Sequence, residues 1–190
     1  DETPSDPALL CDRGLAMEAL GRHDEALLCY DQAITLDPQF LVAHFERGIL
    51  LEILERWDEA LASYERALAI DPEAPDIHFA RGAALHHLQM DAQALEAYDR
   101  ALDLDPGFAT VRMNRGVTHL RLGNFERALE DFDAGIALDA DDSWLHLQRG
   151  RALFALQRDD EARAALQRAL TLNPDHAIAR EILERIRERE

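Results

Sequence analysis

Histidine and cysteine side chains are the groups in this sequence that come nearest to a chemical site. The adjacent pair His86-His87, together with His78, could suggest a metal site. Neighbouring residues of a helix point about 100° apart, so both members of the pair cannot easily bind one ion. We therefore expect structural or solvated roles for these histidines, and we predict neither a metal nor any other cofactor.

Other catalytic groups lack the surroundings that a reaction requires. Cys11 and Cys29 are too few for a disulfide framework, and we interpret both as reduced packing residues. No serine or cysteine nucleophile lies in a recognisable motif, and no glycine-rich phosphate loop follows a strand. The acidic stretch 139–144 indicates the start of a helix capped by Asp142 or Ser143, rather than a calcium loop. These observations predict that the protein is not an enzyme.

The charge of the chain restricts the partners that it can bind. Its 190 residues have a net charge of −18, and all 20 basic residues are arginine. Residues 1–74 hold 17 acidic and 5 basic side chains, so negative charge is concentrated in this part. Such a surface repels nucleic-acid phosphate and anionic lipid, and no apolar run reaches the ~18 residues of a membrane helix. We therefore predict a protein or peptide partner with basic residues, no nucleic acid and no membrane insertion.

The beginning of the chain bears on its origin. The first residue is Asp1, and no signal peptide is recognisable. We expect an excised part of a longer protein or a processed product. The compartment is left open between cytoplasm and periplasm, with the cytoplasm favoured.

Two dipeptides recur along the chain at a constant interval of 34 residues. The Arg-Gly pairs lie at 13–14, 47–48, 81–82, 115–116 and 149–150. The Asp-Pro pairs lie at 37–38, 71–72 and 105–106, and Asp139-Ala140 and Asn173-Pro174 continue the series. Self-similarity at such a fixed period is the signature of a solenoid, in which each unit stacks on its neighbours.

Residues 41–74 show the organisation of one unit. A first helix is predicted at about 42–54 and a second at about 58–70, with a break between them. The second helix ends at Asp71-Pro72, because proline cannot continue a helix and restricts the residue before it. After the last unit, Ile178, Ile182 and Ile186 form an apolar stripe, which predicts a capping helix at 177–190.

These units resemble the tetratricopeptide repeat. The residues of the second unit that match the family's pattern are His44, Arg47-Gly48, Leu51, Ala60, Tyr64 and Pro72. The resemblance extends over units 7–40, 41–74, 75–108, 109–142 and 143–176, preceded by a tail at 1–6 that we expect to be disordered. It implies an all-α, right-handed superhelical solenoid of helix-turn-helix repeats. Ala140 replaces the family's proline, which predicts a looser turn into the fifth unit.

The Arg-Gly pairs have a packing interpretation. By its level in the hairpin, Gly48 should lie against the ring of Tyr64, and Gly14 and Gly82 should meet Tyr30 and Tyr98 in the same way. Each arginine should pair with an acid of the preceding unit: Arg47 with Asp31, Arg81 with Glu65, Arg115 with Asp99 and Arg149 with Asp133. A rival series of acids stays open: Asp37, Asp71, Asp105 and Asp139.

The side of each first helix that points away from the glycine is the candidate partner surface. In the family that the chain resembles, first helices line a concave groove. The residues predicted to line it are Phe45, Glu46, Ile49, Glu52, Ile53, Phe79, His86, Met113, Asn114, Val117, Arg121 and Arg151. This groove would be acidic at its N-terminal end, apolar in the middle and more basic at its C-terminal end. An extended peptide or a partner helix with basic and apolar residues would suit it.

The function predicted from these features is protein–protein interaction. We interpret the chain as a non-catalytic adaptor or scaffold. An alternative is a regulatory or substrate-recruiting repeat segment of a larger enzyme or of a secretion or assembly machine. Self-association through exposed end helices is a third hypothesis. A fourth is that the groove is only a solvated surface that binds no partner.

Overall fold

The computed structural model describes residues 6–189, and all regular structure in that range is α-helical. The helices are α1 (Pro7–Ala19), α2 (His23–Leu36), α3 (Leu41–Ile53), α4 (Trp57–Ile70), α5 (Pro75–His87), α6 (Asp91–Leu104), α7 (Ala109–Arg121), α8 (Phe125–Leu138), α9 (Ser143–Ala155), α10 (Asp159–Leu172) and α11 (Ala177–Arg187). The tail predicted at 1–6 lies outside the described residues except for Asp6, whose carboxylate caps α1. Asp142 caps α9 as predicted.

Consecutive helices form hairpins, α1 with α2, α3 with α4, and so on to α9 with α10. The predicted bounds of α3 and α4 were one residue too late at three of the four ends. Two of these ends flank the connecting turn, where Glu55 has a left-handed backbone with a φ of 57°. Residues at this register in all five hairpins share that conformation: Gly21, Glu55, Gln89, Gly123 and Gln157. Such a residue cannot continue a right-handed helix, so each first helix ends before it.

The chain divides into two compact units, and the division falls after Leu104. In the N-terminal unit, α1 to α6, each hairpin packs on the next one through α2 with α3 and α4 with α5. The rings of Tyr30, Tyr64 and Tyr98 are buried in this unit. Because these large rings recur at the period of the repeat, each hairpin has the same core.

The C-terminal unit comprises α7 to α11. Its core includes Phe132, Leu153 and Leu166, and α11 packs on both α9 and α10. Helix α11 buries Ile182 and Ile186, but Ile178 is 46% exposed. The predicted stripe was wrong at this residue, because Ala179 occupies the buried position instead.

The glycines of the Arg-Gly pairs contact the sister helix, as predicted for Gly14, Gly48 and Gly82. A Cβ built on Gly82 would lie 2.5 Å from Cε1 of Tyr98, and one built on Gly116 would lie 2.5 Å from Cε1 of Phe132. Such distances are too short for any side chain, so only glycine admits an aromatic ring at this level of the hairpin. Leu166 fills the equivalent place against Gly150.

The predicted pairing of each arginine with the preceding unit holds at two positions. Nε of Arg47 donates to Asp31 at 2.8 Å, and Nε of Arg149 donates to Asp133. The predicted pair of Arg81 with Glu65 was wrong, since neither a hydrogen bond nor an ion pair joins these side chains. The pairing of Arg115 with Asp99 would join the two compact units and stays a prediction.

Arg115 also has a partner that was not predicted. Its Nε donates at 2.9 Å to Asp131, which lies on the sister helix of the same hairpin. Whether such a bond forms in another hairpin depends on the residue at the position equivalent to Asp131. Ser63 accepts from Arg47 at 2.7 Å, whereas Ala97 gives Arg81 no polar group there.

The rival series of acids was wrong as a set of arginine partners. Each of these carboxylates instead accepts from the backbone N–H two residues later, in the turn between hairpins. The acceptors are Asp37, Asp71, Asp105 and Asp139. This bond closes the turn locally, which is the ordinary use of aspartate in turns.

The same turns are held by the residue that replaces the family's first aromatic. Nε2 of His78 donates to the carbonyl oxygen of Pro72 at 2.9 Å. Nε2 of His146 makes the equivalent bond to Ala140, also at 2.9 Å. The turn at Ala140 is therefore held in the same way as a turn that contains proline.

Candidate functional site

The first helices of the N-terminal unit lie beside one another, α1 against α3 and α3 against α5. We call their shared face the N-terminal groove wall, and it contains Glu18, Phe45, Glu46, Ile49, Glu52, Ile53, Phe79 and His86. Most of these residues are half-buried, and Ile53 is 60% exposed. The structure thus brings together the seven predicted groove residues of this unit, together with Glu18.

Two carboxylates of this wall are hydrogen-bonded to the buried tyrosines behind it. The hydroxyl of Tyr64 donates to Glu52 at 2.8 Å, and the hydroxyl of Tyr30 donates to Glu18. Burial raises the pKa of both phenols, so the tyrosines stay neutral donors. Glu18 has the register of Glu52 one repeat earlier, so the sequence places both carboxylates in the same row of the groove.

Glu46 lies half-buried in the same wall. Burial raises the pKa of its carboxyl, and the negative charge of Glu18 raises it further. The pKa of the Cys11 thiol rises to about 11, first because of burial and then because of Glu46. Cys11 is therefore a protonated packing residue, whereas Glu46 forms no salt bridge within residues 6–189.

Two aromatic rings supply the apolar part of the wall. Phe45 packs against Tyr64 with ring centroids 6.1 Å apart, and Phe79 packs against Tyr98 at 6.3 Å. Tilted pairs at such distances are favourable for aromatic rings. The buried tyrosines therefore hold two half-exposed phenylalanines in place beside the carboxylates.

His86 is engaged at the end of its hairpin. Its Nδ1 lies 3.5 Å from Oδ1 of Asp91, and its ring meets the edge of His87. His87 in turn stacks on Trp57 with centroids 3.9 Å apart. The two histidine rings are nearly perpendicular, at 88°, and within residues 6–189 no three His, Cys, Asp or Glu residues are placed to hold a metal ion.

The C-terminal unit carries the remaining predicted groove residues on α7 and α9, which contact each other. Met113 and Val117 are partly buried against the core of this unit. Arg121 and Arg151 are exposed, and Nη1 of Arg151 donates to Gln148 at 2.7 Å. The side chain of Asn114 is half-buried.

Helix α11 and Arg189, two residues after it, add basic groups to this unit that the sequence had not indicated. The guanidinium groups of Arg185 and Arg189 lie 5.0 and 4.1 Å from the centroid of the Phe154 ring. Phe154 has the same register as Glu52. The C-terminal end of the predicted groove is therefore more basic than the helix pairs alone suggest.

Family models cover most of the chain. Models described as tetratricopeptide repeat match residues 7–40 and 75–108, 92–143, and 119–186, and one described as TPR repeat matches residues 53–89. The chain belongs to the tetratricopeptide repeat family, whose members are in general non-catalytic modules for protein interaction. No curated protein matches the sequence.

Solved structures share the fold. YrrB, described as a TPR protein with an unusual peptide-binding site, is 23% identical over 95% of this chain and 93% of its own, with a TM-score of 0.82. PilF of Pseudomonas aeruginosa is 19% identical over 96% and 83%, with a TM-score of 0.83. The first TPR of Spaghetti (RPAP3), bound to the HSP90 peptide SRMEEVD, is 27% identical over 63% and 94%, with a TM-score of 0.60. The all-α solenoid fold is thereby confirmed.

Among residues 6–189, no helix combines the length and the apolar character that crossing a membrane requires.

Proposed function

We propose that this chain is a non-catalytic adaptor or scaffold that binds an extended peptide or a partner helix along its first helices. The observation that carries the proposal is the pairing of half-buried acids with half-exposed aromatic rings on the N-terminal groove wall. Glu46 and Glu52 lie in this wall beside Phe45. The partner is accordingly one with basic and apolar residues.

The electrostatic state of Glu46 supports a basic partner. A half-buried carboxylate that is also repelled by Glu18 is less stable than one in water. A guanidinium or ammonium group beside Glu46 would reverse both effects, because opposite charges at about 4 Å attract by roughly 4 kcal/mol near a protein surface. Removing both charges from water offsets most of this attraction, so affinity also requires apolar contacts with the neighbouring phenylalanine rings.

The known complexes of relatives support peptide binding, but with a different charge. The Spaghetti domain binds SRMEEVD, a peptide with three acidic residues. The N-terminal groove wall of this chain carries Glu18, Glu46 and Glu52, which would repel such a peptide. We therefore propose that this chain shares the binding mode of its family and differs in the charge of its ligand.

A combined variant tests the proposal. Replacing Glu46 and Glu52 by glutamine and Phe79 by alanine should abolish capture of a synthetic peptide that alternates arginine with leucine, measured by isothermal titration calorimetry. The control variant carries Glu65→Gln and Glu96→Gln, which remove the same charge from exposed positions of second helices. Equal affinity for wild type and the combined variant would reject the groove, provided that both unfold cooperatively.

The alternative functions differ in whether they use the N-terminal groove wall. A regulatory or substrate-recruiting segment of a larger enzyme, or of a secretion or assembly machine, would recruit its partner through the same wall, and the complete reading frame distinguishes this case. Self-association through α1 and α11 would give a mass that rises with concentration in light scattering and would be insensitive to the combined variant.

A further inference from the structure

A shallow cavity of about 270 Å³ that is wide open to solvent lies in the N-terminal unit, apart from the groove wall. Its lining residues come from α2, α3 and α4: Asp31, Ile34, His44, Arg47, Ala62, Ser63 and Arg66. At about 100° per residue, His44 and Arg47 point roughly opposite to Phe45, Glu46 and Ile49 on α3. The cavity is therefore a separate feature of this unit, and no residue of the proposed peptide site lines it.

Arg66 distinguishes this cavity from the equivalent places in other repeats. Arginine recurs at this register as Arg100 and Arg168. Arg100 lies 3.9 Å from Glu73, and Arg168 donates to Asp141 at 2.6 Å. The residue that would supply the acid to Arg66 is Gln39, which has the register of Glu73 one repeat earlier.

The loss of this acid leaves Arg66 uncompensated. Within residues 6–189, its guanidinium forms no hydrogen bond and no ion pair. A second acid is also missing, since Ala62 occupies the register that Glu96 and Glu130 occupy in the next two repeats. Two neutral residues therefore stand where other repeats carry acids, beside an arginine that lines a cavity.

Arg47 provides a second guanidinium in the same cavity. Its Nε donates to Asp31 at 2.8 Å and its Nη1 to Ser63 at 2.7 Å, which leaves Nη2 without a partner. The side chain of Arg47 is 23% exposed, and Asp31, at 52%, lies toward the solvent. Two arginines and one aspartate give the lining a positive charge, within a chain whose net charge is −18.

We propose that this cavity binds a phosphate group, either as inorganic phosphate or on a small phosphomonoester. Guanidinium groups present planar donors that match phosphate oxygens, and a dianion compensates two of them at once. The free Nη2 of Arg47 and the guanidinium of Arg66 are the donors. The cavity is large enough for the tetrahedral group and a small organic substituent.

Titration of the whole chain with inorganic phosphate and with phosphoserine tests this site. Amide chemical shifts are followed by NMR at constant ionic strength, with sodium chloride replaced by the ligand. We expect saturable shifts around Arg47 and Arg66 in the wild type. Tighter binding of phosphoserine would identify a phosphomonoester as the ligand, and equal binding would identify the phosphate group alone.

Two variants remove the site by different routes. Arg66→Gln deletes the donor, and Gln39→Glu supplies the acid that other repeats have, so each should weaken binding by about tenfold or more. Both residues are exposed, so the fold should be retained. The matched control is Arg100→Gln, which removes an arginine of the same register that already faces Glu73.

Several results would overturn the proposal. These are the absence of saturable shifts at tens of millimolar phosphate, undiminished binding by Arg66→Gln or Gln39→Glu, and equal loss in Arg100→Gln. Equal binding of acetate would overturn the assignment to phosphate. A variant in the groove wall, Glu46→Gln, should leave phosphate binding unchanged, which separates failure of this site from failure of the proposed function.

Discussion

Single carboxylates of this chain differ in behaviour according to their surroundings. Glu25 lies at the surface with its side chain 46% exposed, and its hydrogen bond from Arg22 lowers the pKa of its carboxyl. Glu46 is half-buried, and burial together with Glu18 raises its pKa. The two glutamates therefore affect stability with opposite signs as the pH changes.

Replacing Glu46 by glutamine should raise the melting temperature at pH 7. The folded protein holds the proton of Glu46 more tightly than the unfolded chain, so wild-type stability falls as pH rises above the ordinary carboxyl pKa of about 4.3. Glutamine removes this penalty, and the difference between wild type and variant should vanish below about pH 4. Thermal denaturation between pH 3 and pH 7, about the range over which carboxyls titrate, measures the effect.

The matched substitution Glu25→Gln should lower the melting temperature at pH 7, opposite to the effect of Glu46→Gln. Its lowered pKa contributes stability above the ordinary value, and that contribution is lost as the pH falls. A lower melting temperature for Glu46→Gln than for wild type at pH 7 would show that the fold stabilises the Glu46 carboxylate, against the expectation.

At the scale of the helices, burial decides which arginine pair stabilises the hairpins. Arg115 pairs with Asp131 inside one hairpin, where the aspartate side chain is 4% exposed. Arg149 pairs with Asp133 of the preceding hairpin, where the aspartate side chain is 51% exposed. Both pairs join an arginine of α7 or α9 to α8, but only the first is shielded from water.

The two aspartates should therefore differ strongly when replaced by alanine. Asp131→Ala leaves a largely buried guanidinium without this partner and should cost about 3 kcal/mol, the lower end for broken buried pairs, since Arg115 is itself partly exposed. Asp133→Ala should cost no more than about 1 kcal/mol, as is usual for exposed pairs. Urea denaturation of both variants measures the difference. Equal losses would show that burial does not set the contribution of these pairs.

At the scale of the whole molecule, the net charge of −18 dominates long-range electrostatics. Like charges on one folded chain repel each other, and salt screens them over a Debye length of about 10 Å at 0.1 M. Raising sodium chloride from about 0.02 M to about 0.3 M should therefore raise the melting temperature and weaken capture of an arginine-rich peptide.

A neutral version of the peptide, with glutamine for arginine, is the control for the salt experiment. Its binding should depend little on salt, because no counter-charge is screened. A melting temperature that falls with added salt would mean that exposed ion pairs outweigh the repulsion among the acids.

The sequence predicts the hairpins and the close contacts between their two helices. Gly48 could be matched to Tyr64 because a missing side chain and a large ring at one level of a hairpin are complementary in volume. The pairs of Arg47 with Asp31 and of Arg149 with Asp133 were predictable from register alone. The exact ends of α3 and α4 were not, because Glu55 gives no sign in its side chain of a left-handed backbone.

The repeating architecture follows from the sequence alone, because the side-chain volumes, turn residues and helix signals of each hairpin recur at one constant period. The tertiary structure decided which polar groups are compensated. Arg115 bonds to Asp131, Arg81 does not bond to Glu65, and Arg66 lines a cavity but forms no ion pair within residues 6–189. The physical reason is that many residues together fix the packing of a hairpin, so its register is predictable from the pattern of the sequence. A hydrogen bond, in contrast, depends on a single donor and a single acceptor that lie about 3 Å apart in the folded protein.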